Sequence, residues 1–395
     1  MLLTPRSEIE SRISKLQQEM ARTGCEGAII LQNSDLYYFT GTVQNSQLYV
    51  PAQGQPVLAV RKSYSRALQE SPLANIVQMK SPKEFAAILI SLGHGLPSRI
   101  GLELDVLPYN RVLDLQKQFP QASWLDISPA IRAIRMVKSP YEVELVRDSL
   151  RVLDQGFQEV PRVLREGMLE FELASYFESA LRRAGMSGSS RMRAFNQDFT
   201  MSAICSGSSG AYSSGVEGSI GGAGLCPAYP MGASRKAILR GEPVIVDFAP
   251  IVNGYTGDQT RVFCIGELDP KMVKAHQDAL FINQEILNLL KPGVLAEEAY
   301  FLGVRLAAEM GYEENFLGYR DDRVRFIGHG VGLDTDELPV FAPGCKIPMQ
   351  TGMTFALEPK FVFPEGAIGT ENTYVMTEHG PENLSITPEE ITYIE

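Results

Sequence analysis

Two aspartates eleven residues apart, Asp247 and Asp258, flank an Asn253-Gly254 pair in the stretch GEPVIVDFAPIVNGYTGDQTRVF. Asn-Gly between apolar runs predicts a two-residue hairpin turn, because the central residues of that turn take positive φ. The runs Val244–Phe248 and Thr260–Phe263 are then its strands. In that register residue 249 lies opposite Asp258, and Asp247 stands two positions further along. Side chains alternate across a strand, so both carboxylates project from one face as diagonal neighbours. Turns favour aspartate, which by itself accounts for Asp258. It does not account for Asp247, which ends the apolar run VIVD, where an unpaired charge is costly to bury.

Three further residues sit in comparable surroundings. His329 lies between glycines in FIGHGVGL (326–333), which lets another backbone come close. Glu358 follows the apolar run Met353–Leu357 and precedes a proline; Glu371 enters a second apolar strand beyond the turn Pro364-Glu365-Gly366. Alone, a histidine in such a place is more often structural than a ligand. Together, four carboxylates and one imidazole form a hard, oxygen-rich set suited to Mn, Fe(II), Co or Zn. Two such ions about 3.5–4 Å apart hold a nucleophile and polarise a carbonyl, so the set points to hydrolysis.

The order Asp, Asp, Gly-His-Gly, Glu-Pro, Glu-Asn resembles the pita-bread metallopeptidases, a superfamily that includes methionine aminopeptidase, aminopeptidase P, prolidase and the metal-free creatinase. RMVKSPYEVELVR (135–147) resembles the start of their catalytic domain, and NSDLYYFTG (33–41) a signature of the amino-terminal domain in the creatinase and prolidase branch. The resemblance spans nearly the whole chain. It implies an α/β (α+β) fold: a creatinase/prolidase-like amino-terminal α/β domain over 1–133 and a pita-bread catalytic domain over 134–395. It implies that Asp247 chelates one ion through both oxygens, that Asp258 and Glu371 bridge two ions, and that His329 and Glu358 hold the second. Glu358 would also be catalytic, taking and returning the proton of the attacking water. The implied cofactors are two divalent ions, manganese first, with Co, Zn or Fe as alternatives. The implied activity is that of an Xaa-Pro aminopeptidase or prolidase, a metal-bound hydroxide attacking an amide at the amino end of a small peptide. The alternatives are a non-peptidase hydrolase or lyase on a small amide-like substrate, and a catalytically silent binding protein. The same branch implies a homodimer.

Departures from the family pattern concern the substrate pocket. Relatives carry a substrate-facing histidine seven residues after the ligand histidine; this chain has Asp336, in LDTDELP, which is therefore assigned a catalytic and substrate-binding place. A second histidine normally precedes the first metal aspartate by some seventeen or eighteen residues, where Tyr229 and Pro230 stand; Tyr229 is the substrate-binding candidate. An arginine common two residues before the last glutamate is Gly369. The remaining histidines, His94, His276 and His379, fall at none of these positions. One such donor is worth roughly 3–4 kcal/mol of transition-state stabilisation, so either the substrate is not a standard Xaa-Pro peptide or other groups replace the donors.

The stretch between Cys205 and Gly232, SGSSGAYSSGVEGSIGGAGLCPAYPMG, lacks the Gly-Lys-Ser/Thr ending of a phosphate loop. Its two readings are a flexible surface loop and a wall of the substrate pocket, with Tyr212 and Tyr229 offering phenols. Just before it, Arg191 and Arg193 either hold a carboxylate or face solvent. A net charge of −11 argues against nucleic acid as a partner. No run of about 18 apolar residues and no signal-peptide pattern is present, so no membrane is expected. Five dispersed cysteines without a CxxC pair suit a reducing compartment, and cytoplasmic is the expected location. Periodicity predicts helices over 8–22, 63–70, 170–184, 271–291 and 296–310, and one opened by Ser139-Pro140. It also predicts strands over 27–31, 48–50 and 56–60.

Overall fold

The computed structural model describes residues 2–188, 191–193, 195–196, 203–215 and 218–395. They gather into two compact units, Met1–Arg135 and Met136–Glu395.

In the first unit an amphipathic helix, Arg6–Thr23, buries Ile9, Ile13, Leu16 and Met20, each worth about 1.5–3 kcal/mol of transfer free energy. It stops at Gly24, whose φ of 68° suits a residue without Cβ. Six strands follow: β1 (Gly27–Ile30), β2 (Ser46–Pro51), β3 (Val57–Val60), β4 (Asn75–Gln78), β5 (Arg99–Leu102) and β6 (Ser123–Asp126). They form one sheet in the order β4-β3-β2-β1-β5-β6, in which β2 runs antiparallel to both its neighbours and the remaining pairs are parallel. Phe85 and Leu89 from one helix and Val112 and Leu115 from another pack with Ile29, Val57 and Ile100 of the sheet. The segment NSDLYYFT is a helix, Asn33–Thr40, capped by the Gln32 side chain.

Glu103, just after β5, is fully buried and accepts the N–H groups of Leu31 (2.7 Å) and Gln32 (3.1 Å). It lies against Asp35, which in turn pairs with Arg135 at 2.7 Å. Burial first, then the Asp35 charge, hold Glu103 well above the usual carboxylate range. Its folded value thus exceeds the unfolded one of about 4.3. Stability from this group is fully present below the unfolded value and is lost as pH rises through the folded value. Glu103→Gln keeps an acceptor for both N–H groups and a donor toward Asp35. Thermal unfolding of the full chain is expected to lose less stability above about pH 4.3 in this variant; an unchanged slope would remove Glu103 as the cause.

The second unit contains β7 (Ala203–Ser206), β8 (Val244–Phe248), β9 (Ile251–Val252), β10 (Tyr255–Thr256), β11 (Gln259–Ile265), β12 (Gly328–Gly330), β13 (Glu337–Val340), β14 (Thr354–Leu357), β15 (Lys360–Phe363), β16 (Gly366–Gly369), β17 (Asn372–Thr377), β18 (Gly380–Asn383) and β19 (Thr392–Ile394). One sheet runs β19-β11-β8-β7 and another β13-β12-β14-β17-β18; β9 with β10 and β15 with β16 form two-stranded ribbons. Its long helices span Pro140–Val163, Glu170–Ala184, Pro270–Leu289 and Ala296–Glu309. The first begins with a capping box between Ser139 and Glu142 and has Pro140 in its first turn. Tyr255 at the hairpin end donates to Glu142 (2.7 Å), tying the hairpin to that helix. No helix among the described residues is long and apolar enough to cross a membrane.

Candidate metal centre

The hairpin has the register expected from Asn253-Gly254. Val252 pairs with Tyr255, Phe248 with Gln259, and Asp247 with Thr260, while Asn253 and Gly254 take φ values of 52° and 91°. Asp247 and Asp258 therefore leave one face of the ladder. His329 is the centre of β12, between β13 and β14. Its glycines are required by close strands: a Cβ on Gly328 would stand 2.2 Å from the Ala356 oxygen, and one on Gly330 2.3 Å from that of Leu338. Glu358 follows β14 and Glu371 precedes β17; because Leu357 pairs with Asn372, the two glutamates face each other across the ladder. Thr260 pairs with both Asp247 and Glu371, which joins the two sheets at the cluster.

Four donor atoms converge on the histidine side. His329 Nε2 is 3.8 Å from Glu358 Oε1, 3.9 Å from Asp258 Oδ2 and 4.0 Å from Glu371 Oε1. These separations are too long for hydrogen bonds. They suit donors sharing one ion, since ligands at 2.0–2.2 Å from a common centre stand about 3–4.4 Å apart. Asp258, His329 and Glu371 form a buried group whose ligand atoms lie within 4.8 Å of one another. Asp258 Oδ1 is buried without a hydrogen-bond partner, an acceptor that a cation would satisfy. On the other ring nitrogen, Nδ1, His329 meets the Thr335 carbonyl at 3.0 Å and Asp336 Oδ1 at 3.3 Å. A proton held there turns Nε2 toward the carboxylates, the orientation a metal ligand needs once an ion displaces the Nε2 proton. Asp258, His329 and Glu371 thus fit one divalent ion, with Glu358 Oε1 beside them at 3.8 Å from the ring nitrogen.

Charge crowding marks the same place. Burial, then Glu371 and Asp247, push Asp258 well above the usual carboxylate range. Burial alone would lower His329, but the charges of Asp336, Glu358, Asp258 and Glu371 outweigh it and carry the imidazole up to about 10.

The opposite side of the cluster holds a residue that the ligand pattern did not disclose. Lys360 Nζ donates to Asp247 Oδ2 (2.8 Å), Glu358 Oε2 (3.0 Å) and Glu371 Oε2 (2.8 Å), and its side chain is 1% exposed. Burial works against its charge, yet Asp247, Glu358 and Glu371 outweigh that and hold the ammonium well above its usual range. Asp247, expected to chelate an ion through both oxygens, thus has one of them on an ammonium. The signal was available: Lys360 is two residues beyond Glu358 in FALEPKFVF, and an amine inside an apolar run needs anionic partners.

The glycine- and serine-rich stretch is anchored and reaches the cluster. Buried Glu170 accepts from Ser206 (N–H 2.7 Å, hydroxyl 2.9 Å), Ser209 (2.6 Å) and Ser234 (N–H 2.9 Å, hydroxyl 2.6 Å). Gly221 and Gly222 lie against neighbouring backbone; a Cβ on Gly222 would be 2.6 Å from the Gly232 oxygen. Ser219 donates to Glu358 Oε2 at 3.0 Å. That contact favours the pocket-wall reading over a loose surface loop; Val216 and Glu217 lie outside the described residues. Tyr229 is half-buried on a turn in this stretch, its N–H bonded to the Cys226 carbonyl. Arg191 and Arg193 are half-buried, and the Arg191 carbonyl accepts the N–H of Thr335 at 2.7 Å.

Asp336 is the sequence's candidate for a catalytic and substrate-binding place. It stands on the Nδ1 side of His329, away from the nitrogen that faces the carboxylates, which is the place of an orienting group. The loop 331–337 that carries it is fixed by Glu337, which accepts from Leu333 N (3.0 Å), Asp334 N (3.1 Å) and Lys138 Nζ (2.9 Å). At Gly369, the position of the missing arginine, φ is 152° and Lys360 is the cross-strand partner. A Cβ there would stand 2.7 Å from Lys360 Cα.

Comparison with known proteins agrees with this architecture. The Xaa-Pro dipeptidases of Pyrococcus furiosus and Pyrococcus horikoshii are 26% and 24% identical over 386 residues, covering 97% of this chain and 100% and 99% of theirs. The crystal structure of the prolidase from Pyrococcus horikoshii superposes with a TM-score of 0.81 at 24% identity, over 96% of this chain and 99% of that one. An Xaa-Pro dipeptidase from Bacillus anthracis gives 0.82 at 22% identity, over 98% and 100%. These structures share the fold, an amino-terminal α/β domain followed by a pita-bread domain. Residues 12–137 match the creatinase/prolidase N-terminal domain. Residues 144–378 match metallopeptidase family M24, and the chain belongs to that family of metal-dependent hydrolases.

Proposed function

We propose that this protein hydrolyses the amide at the amino end of a small Xaa-Pro type peptide at the centre formed by Asp258, His329, Glu358 and Glu371. The observation that carries the reading is the convergence of His329 Nε2 with three carboxylates within 4.0 Å, beside a buried Asp258 oxygen that lacks a partner. A divalent ion there, manganese first with Co, Zn or Fe as alternatives, supplies Lewis acidity toward a carbonyl and acidifies a water. Thr335 and Asp336 hold the ring of His329. Glu358 is held by Ser219 and Lys360 on one oxygen, so its other oxygen has a fixed direction for taking and returning a proton. Tyr229 is the candidate hydrogen-bond donor to the substrate carbonyl. The names of the Pyrococcus relatives support a dipeptide whose second residue is proline.

A second reading, a small non-peptide amide, draws on Asp336. Its carboxylate is engaged with the ligand histidine, where the resemblance expects a substrate-facing group. The test is turnover by Mn(II)-loaded protein on Xaa-Pro dipeptides and longer Xaa-Pro peptides. Release of the first residue, lost in Asp258→Asn, is expected. No release from protein with bound metal would reject the peptidase reading and favour the second.

A homodimer in the cytoplasm belongs to the same proposal, supported by the family branch and by five free cysteines. Light scattering that detects only a 43.5 kDa species would sink the dimer.

A further inference from the structure

We propose that the Lys360 ammonium stands in for the second cation, so that this centre holds a single divalent ion, on Asp258, His329 and Glu371. The inference rests on the cluster being a metal centre and departs from the two-ion arrangement that the resemblance implies.

The carboxylate oxygens are divided between two partners. Glu358 and Glu371 each turn Oε1 toward His329 Nε2 and Oε2 toward Lys360 Nζ. Asp258 Oδ2 faces the histidine, and Asp247 Oδ2 is bonded to the lysine. An ammonium has three N–H donors, and three acceptors at 2.8–3.0 Å use them all. Asp247 and Glu371 Oε2 are the oxygens a second ion would need. A dication sharing them with an ammonium would place two cations side by side, and like charges at that range repel strongly.

Lys360 has no easy way out. It is the first residue of β15, paired with Gly369, and its carbonyl accepts the N–H of Leu317 at 2.9 Å. Its side chain is 1% exposed, so moving the ammonium off these carboxylates buries it unpaired. The chemistry changes accordingly. An ammonium fixes carboxylates and neutralises charge, but it has no open coordination position and cannot acidify a water. Activation of the nucleophile then falls to one ion and Glu358.

The test counts ions. Purified protein is saturated with Mn(II), freed of excess, and read by elemental mass spectrometry and electron paramagnetic resonance. One ion per chain is expected, with the hyperfine pattern of an isolated Mn(II). Lys360→Met releases the three oxygens and is expected to raise the count to two and to give the signal of an exchange-coupled pair. Asp247→Asn removes a partner of Lys360 but no donor facing His329, so its count should stay at one; this arm decides if Lys360→Met does not fold. Two coupled ions in the unaltered protein, or loss of the ion in Asp247→Asn, would overturn the lysine substitution and leave the metal-centre reading intact. No ion in the unaltered protein would overturn the metal-centre reading itself.

Discussion

Asp258→Asn is expected to abolish ion binding and yet to leave the ion-free protein more stable. Asp258 is buried with one oxygen unpartnered, and it faces Glu371 and Asp247 as like charges. Asparagine is nearly isosteric and uncharged, so it removes that repulsion while the backbone contacts of Asp258 with Thr373, at 2.8 Å, persist. The same change removes one of the anionic donors around His329 Nε2. Loss of a group that merely orients a ligand costs about 10–100-fold in metal affinity or activity; loss of the ligand itself should cost more than about a hundredfold on that scale. Thermal unfolding with and without Mn(II) separates the two effects. The variant should unfold at a higher temperature than the ion-free parent, and added Mn(II) should no longer raise it. A metal-dependent rise equal to the parent's would mean that Asp258 is not a ligand.

Glu337→Ala should be strongly destabilising. Glu337 and Lys138 form an ion pair at 2.9 Å with side chains 7% and 1% exposed, and Glu337 also accepts two backbone N–H groups of the loop 331–337. Breaking a buried pair from one side costs about 3–5 kcal/mol, because the other charge stays buried. A unit of this size loses roughly 2–4 °C per kcal/mol, so the melting temperature should fall by on the order of 10 °C. The loop carries Thr335 and Asp336, which hold Nδ1 of His329, so ion affinity should fall as well. In Glu337→Gln with Lys138→Met, the amide oxygen still serves the two N–H groups and no charge is stranded. That double variant should recover most of the loss; a melting temperature as low as that of Glu337→Ala would argue against the buried charge as the cause.

What the sequence disclosed and what it hid follow from the range of the interactions involved. The hairpin register was legible because a two-residue Asn-Gly turn fixes every pair above it, from Val252–Tyr255 to Asp247–Thr260. The helix at Pro140 was legible because its capping box is local. Lys360 lies outside the carboxylate and imidazole ligand pattern, although its spacing from Glu358 and its apolar surroundings carry a signal. The place of Asp336 was not legible, since it depends on Lys138, 199 residues from Glu337, pinning the loop back on His329. The glycine- and serine-rich stretch suggests mobility by composition alone. Its order comes from one distant carboxylate, Glu170, which no local pattern connects to Ser206, Ser209 and Ser234.

The most direct test of the centre is anomalous diffraction at the manganese edge from crystals of the Mn(II)-loaded protein. A peak is expected at ligand distance from His329 Nε2, Asp258 and Glu371, with Lys360 Nζ still on Asp247. A cluster without anomalous density at saturating Mn(II), or an ion bound away from His329, would contradict the proposed metal centre.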